Sequence, residues 1–190
     1  MKDIFEIRIH GRGGQGAKTA AQLIVESALV KGKHIQAFPE YGPERSGAPM
    51  VTFARISDKP IRTYQPVTNP DVVMVIDPTL LDIVDVTKGL DEQNGVLIVN
   101  TPKSPEKIKE KTGFKGRTCT VDATGISIDL LGVNMPNTPI LGALIKATEI
   151  LEIKDIEEKI RERFLKKIGE EKTNANIQCV RRAYNEVKES

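Results

Sequence analysis

The sequence predicts an α/β fold: three α/β/α layers around a mostly parallel sheet that carries one antiparallel hairpin. Three observations lead there. A short alternating strand at 5–9 runs directly into a glycine-rich turn and a helical pattern. Continuous apolar runs at 72–76 and 95–99 suit strands covered on both faces, as in a parallel sheet. Helical patterns alternate with strands along the rest of the chain, and only 50–64 reads as two neighbouring strands.

Each element follows from its residues. Phe5, Ile7 and Ile9 alternate with Glu6, Arg8 and His10, a period of two. Ala17, Ala20, Ala21, Ile24 and Ala28 recur at helical spacing over 17–31, and Gly32 stands where a helix-terminating glycine belongs. The small alanines let this helix lie close on a sheet. Residues 34–38 form a second strand, stopped by Pro39. A loop rich in turn formers spans 39–49. Residues 50–56 and 61–64 flank Ser57-Asp58-Lys59-Pro60 and read as the antiparallel hairpin. The run at 72–76 ends at Asp77-Pro78, and a weaker strand covers 118–121. Helical patterns lie near 79–86, 105–111, 126–131 and 138–151. Two further helices close the chain, one with the stripe Ile153, Ile156, Ile160 and Phe164, the next with Ile177, Val180, Tyr184 and Val187. No repeat, low-complexity tract or linker interrupts them, so residues 1–190 read as one domain.

Composition excludes several classes. A hydrophobic share of 39% and a charged share of 28% are those of a soluble globular protein. A net charge of +2, from 28 basic and 26 acidic residues, gives no field that would make nucleic acid or an anionic membrane the partner. No apolar run is long enough to span a bilayer, and the opening residues lack the pattern of a signal peptide. Cys119 and Cys179 cannot supply a four-thiolate cluster or a zinc box. They read as small buried hydrophobes, no metal is expected on this chain, and a reducing cytoplasmic compartment is the natural location.

Gly11, Gly13 and Gly16 satisfy G-x-G-x-x-G between a strand and a helix. Glycines let a backbone approach a phosphate, and free amides at a helix start favour an anion. The candidate binding residues are therefore Gly11, Arg12, Gly13, Gly14, Gln15 and Gly16, with Arg12 able to add a charge. A ligand-free tight turn is a second reading. A dinucleotide oxidoreductase is a third; it asks for an acidic residue about 20 positions on. Glu40 alone qualifies, inside an irregular loop, and no Gly-Lys-Ser/Thr follows that would make a P-loop.

Other residues carry paired readings. His10 makes a local hydrogen bond or serves in acid–base chemistry, and no carboxylate or nucleophile is clearly placed with it; no catalytic residue is assigned. Tyr41 is an interface residue or covers the core edge; Arg45 meets an anion across a boundary or pairs with Glu44 or Glu40. Asn137 and Thr138 cap the following helix or bind a ligand at its start. Asp77 ends a strand at the sheet's carboxyl edge, where ligands gather, or caps a helix. Glu157, Glu158, Arg161, Glu162 and Lys166 form a solvated helix face.

Three separated blocks carry a family resemblance. Gly-Gly-Gln-Gly at 13–16, joined to Ala17-Lys18-Thr19-Ala20-Ala21, resembles the opening of γ subunits of 2-oxoacid:ferredoxin oxidoreductases. Tyr41-Gly42-Pro43-Glu44-Arg45-Ser46-Gly47-Ala48-Pro49 is similar to that family's signature loop, in the form closest to its pyruvate branch, with Ser46 where arginine is common. Pro136-Asn137-Thr138-Pro139-Ile140-Leu141-Gly142-Ala143-Leu144 resembles its Asn-Thr…Leu-Gly-Ala helix start.

The resemblance implies a subunit of an enzyme that converts pyruvate and coenzyme A to acetyl-CoA and carbon dioxide and reduces ferredoxin. It implies that α and β partners hold thiamine diphosphate and Mg2+, that a ferredoxin-like δ partner holds 4Fe-4S clusters, and that this chain holds no cofactor and is inert alone. On that basis the glycine loop serves coenzyme A, and Tyr41, Gly42, Pro43, Glu44, Arg45, Ser46 and Gly47 lie at a subunit contact. A ligand-free scaffold serving a related enzyme, such as one for 2-oxoisovalerate, stays open as an alternative.

Overall fold

The computed structural model describes residues 3–40 and 47–190. The chain runs β1 (Ile4–Arg12), α1 (Ala17–Val30), β2 (His34–Glu40), β3 (Pro49–Ser57), β4 (Val72–Val75), a 3-10 turn (Pro78–Asp82), β5 (Val96–Asn100) and α2 (Pro105–Thr112). It continues through β6 (Arg117–Val121), α3 (Ala123–Leu131), α4 (Ile140–Thr148), α5 (Ile153–Glu186) and β7 (Lys188–Glu189). Among the described residues, seven strands form one sheet in the order β2-β3-β1-β4-β5-β6-β7. β1, β4, β5 and β6 pair in parallel. β3 lies antiparallel between β1 and β2, and β7 antiparallel on β6. Five strands therefore point one way and only β3 and β7 the other.

Strand alternation divides the sheet into two buried faces. Val72 and Met74 of β4, with Ile7, Ile9 and Ile98, face a core built with α1, α3, α4 and α5. Val73 and Val75, with Leu97 and Val99, face a smaller core completed by Ile108, Phe114, Val86 and Leu90. Burial on both sides is why β4 and β5 read as unbroken apolar runs. On α1 the alanines at 17, 20, 21 and 28 are fully covered, which brings the helix close to the strands. α4 crosses α5 at Gly142, where an added Cβ would collide with the Val180 carbonyl oxygen.

The three-layer mixed fold matches the expectation, but its hairpin is a different one. Residues 61–64 form no strand. β3 pairs instead with β2, through a connection whose residues 41–46 lie outside the described ones. Residues 58–70 run as a strap whose carbonyls are met by side chains: Gln36 donates to Thr63 O, Arg55 to Gln65 O and Arg8 to Val67 O. Carbonyls shielded from water need donors, and here arginines and a glutamine supply, for one buried and two half-buried bonds, what a ladder would have supplied. β2 continues through Pro39 to Glu40, because an edge strand tolerates the missing N–H. The pattern at 79–86 yields one 3-10 turn, started by Asp77, whose side chain accepts from Thr79 N. The two C-terminal stripes belong to two helical halves that meet at Gly169, where φ is 80° and ψ is 173°. Among the described residues, no helix is long and apolar enough to cross a membrane.

Candidate functional site

β1 delivers its last residue, Arg12, to the carboxyl edge of the sheet, and the chain turns through Gly13–Gly16 into α1. The turn needs positive φ at Gly14 (95°) and at Gly16 (80°), which glycine adopts without strain. Gly16 is the N-cap of the 14-residue α1, and no side chain caps that end. The first-turn amides and the positive end of the helix dipole are thus left to a ligand or solvent. An added Cβ at Gly14 would meet nothing within 4 Å, whereas one at Gly16 would sit 2.7 Å from the side-chain amide of Asn137.

Asn137 therefore packs directly on the glycine loop, bringing two of the sequence blocks together. It is 3% exposed and its Oδ1 has no hydrogen-bond partner. Thr138 beside it is buried. Neither side chain caps the following helix: the N-cap of α4 is Pro139, and no side-chain cap bond forms there. The capping reading of Asn137 and Thr138 is thereby corrected, because Pro136 O and Thr138 O accept from Ile140 N and Leu141 N and start the helix through backbone alone.

The side chains of Arg12, Gln15, Asp77 and Thr79 form a closed network behind the loop. Arg12 donates from Nε to Asp77 Oδ2 at 3.1 Å, from Nη1 to Gly47 O at 3.2 Å and from Nη2 to Thr79 Oγ1 at 2.9 Å. Gln15 Oε1 accepts from the Arg12 amide at 2.7 Å, and Gln15 Nε2 donates to Asp77 Oδ2 at 2.7 Å. Asp77 Oδ1 accepts from the Thr79 amide at 2.9 Å and its hydroxyl at 2.6 Å. Burial pushes the Asp77 carboxyl up, but the bonds from Thr79 and Gln15 and the Arg12 charge outweigh it and hold it below its ordinary value. Gly13 and the 47–48 segment also exchange backbone bonds, Gly13 N to Ala48 O at 3.1 Å and Gly47 N to Gly13 O at 3.3 Å. Gly47 is the one member of the expected contact segment in view; Tyr41, Gly42, Pro43, Glu44, Arg45 and Ser46 lie outside the described residues.

The loop opens on a cleft of about 710 Å3 between the start of α1, the α3–α4 connection and α5 around Gly169. Gly14, Gly16 and Asn137 line one end; Met135, Phe164 and Ile168 give an apolar wall, and Lys167 and Lys172 stand on the rim. The α5 residues were not legible as site residues. Gly169 inside a helical pattern was the available signal, since it breaks the helix where the cleft meets it. A smaller cavity of about 300 Å3 lies at 81–87 and the end of α2 and touches none of these groups.

The remaining candidates stand apart from the cleft lining. His10 is 4% exposed with an unpartnered Nε2, and burial, aided by Arg8, pushes its pKa down to about 4. Burial pushes the thiols of Cys119 and Cys179 up to about 11. Among the described residues, no group of three or more His, Cys, Asp or Glu is placed to hold a metal ion. Among the described residues, the arrangement offers backbone donors, one helix dipole and a cleft of mixed character.

Residues 6–186 match the family described as pyruvate ferredoxin/flavodoxin oxidoreductase. The chain is 52% identical over 187 residues to the pyruvate synthase subunit PorC of Thermotoga maritima, covering 98% of this chain and 96% of that one. It is 50% identical over 173 residues to the pyruvate/ketoisovalerate oxidoreductases common subunit gamma of Thermococcus kodakarensis, covering 90% and 93%. The crystal structure of pyruvate oxidoreductase subunit PORC from Thermotoga maritima superposes with a TM-score of 0.90 at 49% identity, covering 100% of this chain and 99% of that one. A 2-oxoglutarate:ferredoxin oxidoreductase from Magnetococcus marinus, with 2-oxoglutarate, coenzyme A and succinyl-CoA bound, shares the fold at 19% identity. Its TM-score is 0.78, over 97% of this chain and 31% of that longer one.

Proposed function

The chain belongs to the pyruvate ferredoxin/flavodoxin oxidoreductase family, as an enzyme subunit of the pyruvate synthase γ type, and from this we propose that its glycine loop binds coenzyme A for the assembled enzyme. One observation carries the reading: the uncapped start of α1, with Gly14 open and Gly16 pressed on Asn137, faces a cleft of about 710 Å3. Coenzyme A brings a pyrophosphate and a 3′-phosphate, and backbone amides at a helix start suit such groups electrostatically. Lys167 and Lys172 add attraction, partly offset by Glu171 in the same lining, and the apolar wall suits the less polar part of the molecule.

In this reading the complex oxidatively decarboxylates pyruvate with coenzyme A and reduces ferredoxin. α and β subunits carry thiamine diphosphate and Mg2+, and a ferredoxin-like δ subunit carries the clusters. The γ chain supplies a phosphate cradle and contact surface, with the 41–47 segment facing a partner. A scaffold reading is favoured by one feature, the backbone pair that fastens Gly13 to the 47–48 segment.

The two readings part at Gly14. A valine there is strained at a φ of 95°, and its Cβ would meet nothing within 4 Å. In the assembled enzyme, Gly14→Val is expected to raise the KM for coenzyme A by roughly tenfold or more, the loss of one good charge-assisted contact, and to leave the pyruvate KM in place. Steady-state kinetics with each substrate varied in turn decides it. An unchanged coenzyme A KM would leave the scaffold reading standing.

A further inference from the structure

We propose that Arg12, Gln15 and Asp77 form a positioning clamp, which sets the glycine loop for its ligand and ties it to the segment that begins at Gly47, so that Arg12 acts through the loop rather than by touching the ligand. The proposal rests on the coenzyme A reading of the loop.

An arginine inside a glycine-rich loop invites assignment as a phosphate contact. Its surroundings argue otherwise. All three of its guanidinium nitrogens are engaged within the chain, with Asp77, Gly47 and Thr79. The Asp77 carboxylate, 3.1 Å away, neutralises the charge that a phosphate would seek and would itself repel one. Asp77 in turn is fully committed, each oxygen accepting two bonds. Gln15 closes the loop reciprocally: its amide donates to Arg12 O at 3.1 Å and its side chain accepts from the Arg12 amide at 2.7 Å. The loop's entry residue is thus held from both sides, while Gly14 is left open to the cleft. A flat guanidinium that donates in three directions is the one side chain able to join the strand end, the 3-10 turn and the Gly47 carbonyl at once.

The clamp and the direct contact give opposite results in a double-mutant cycle on the assembled enzyme. If Arg12 is part of a clamp, Arg12→Ala and Asp77→Asn each raise the coenzyme A KM by roughly tenfold, and the double variant is no worse than either single one. The pyruvate KM does not move. Arg12→Lys fails as alanine does, because a lysine keeps the charge but not the three directions. The salt dependence of the coenzyme A KM in Arg12→Ala runs parallel to that of the parent enzyme, since no ligand charge contact is lost.

If Arg12 touches phosphate directly, Asp77→Asn releases it and leaves or lowers the KM, Arg12→Lys restores most of the affinity, and Arg12→Ala flattens the salt dependence. Any of these three outcomes overturns the clamp. Should Asp77→Asn fail to fold, Gln15→Met, which removes both Gln15 side-chain bonds at similar size, carries the same expectation. Gly14→Val separates the two levels. A raised coenzyme A KM there, with unaffected clamp variants, overturns the clamp alone; an unchanged KM throughout overturns the clamp together with the coenzyme A reading.

Discussion

Two arginine-centred networks lie on the same face of the sheet, one sealed and one at an edge. Arg55 of β3 has a side chain only 3% exposed; it pairs with Glu6 at 2.8 Å, bonds Gln36 and Gln65 O, and lies over the Phe38 ring. Arg12 of β1 has a side chain 28% exposed, and two of its three bonds are open to solvent. The residue type and the hydrogen-bond count are alike, but the surroundings differ. In the sealed network the guanidinium itself is cut off from water and its partners are half-buried, so removing the arginine leaves Glu6, Gln36 and the Gln65 carbonyl short of a donor where water reaches them poorly. At the edge, water replaces what is removed, so the network has little leverage on stability and acts mainly on the shape of one loop. The same motif thus fastens a strap in one place and positions a candidate site in another.

The largest effect expected from this contrast is at Arg55. Arg55→Ala should cost about 3–5 kcal/mol in denaturant-derived stability, the range for breaking one side of a buried charge pair. It should also loosen the 58–70 strap, read as faster amide exchange at Gln65 and its neighbours. A cost below about 1 kcal/mol would equate the sealed network with a surface pair and remove the contrast.

His10 sits on β1 between Arg8 and Arg12, at the border of the two regions. Its folded pKa is depressed to about 4, by burial first and by Arg8 second. Above about pH 6.5, the ordinary histidine value, both states are neutral and His10 contributes nothing. As pH falls below that value the unfolded chain takes up a proton that the native chain refuses. Stability should drop by about 3 kcal/mol by pH 4, and no further below it. The measurement is the stability difference between the parent and His10→Gln across that window. A difference that does not change with pH would place His10 in contact with water, on the open side of the border.

How much of this was legible in the sequence depends on the range of the signal. β1, the glycine turn and α1 are local patterns, and residues 4–30 follow them closely. β4 and β5 show because burial on both faces writes itself as an apolar run. The false strand at 61–64 shows the limit: alternation is the same whether a segment's carbonyls meet a ladder or, as here, the arginine and glutamine side chains of other strands. Asp77-Pro78 reads correctly as the start of a short helical turn, but nothing in the spacing tells that the same carboxylate meets Arg12, 65 residues earlier. Asn137 on Gly16 is likewise a tertiary contact, and β7, two residues long, is too short to carry a period.

The smallest expected effect is the one that separates function from fold at the edge. Arg12→Ala removes one partly exposed ion pair and two solvent-facing bonds, so its cost in stability should be about 0.5–1 kcal/mol, the range for surface pairs. Asp77 keeps its bonds from Thr79 and Gln15, so the carboxylate is not stranded, and water reaches the vacated side. In the same protein the coenzyme A KM should rise by roughly tenfold, because a loop freed at its entry residue spends less time in the binding shape. Denaturation of the subunit and kinetics of the assembled enzyme therefore diverge at Arg12, whereas at Arg55 the loss of stability dominates both. Parallel losses in the two assays at Arg12 would make the edge network as structural as the sealed one.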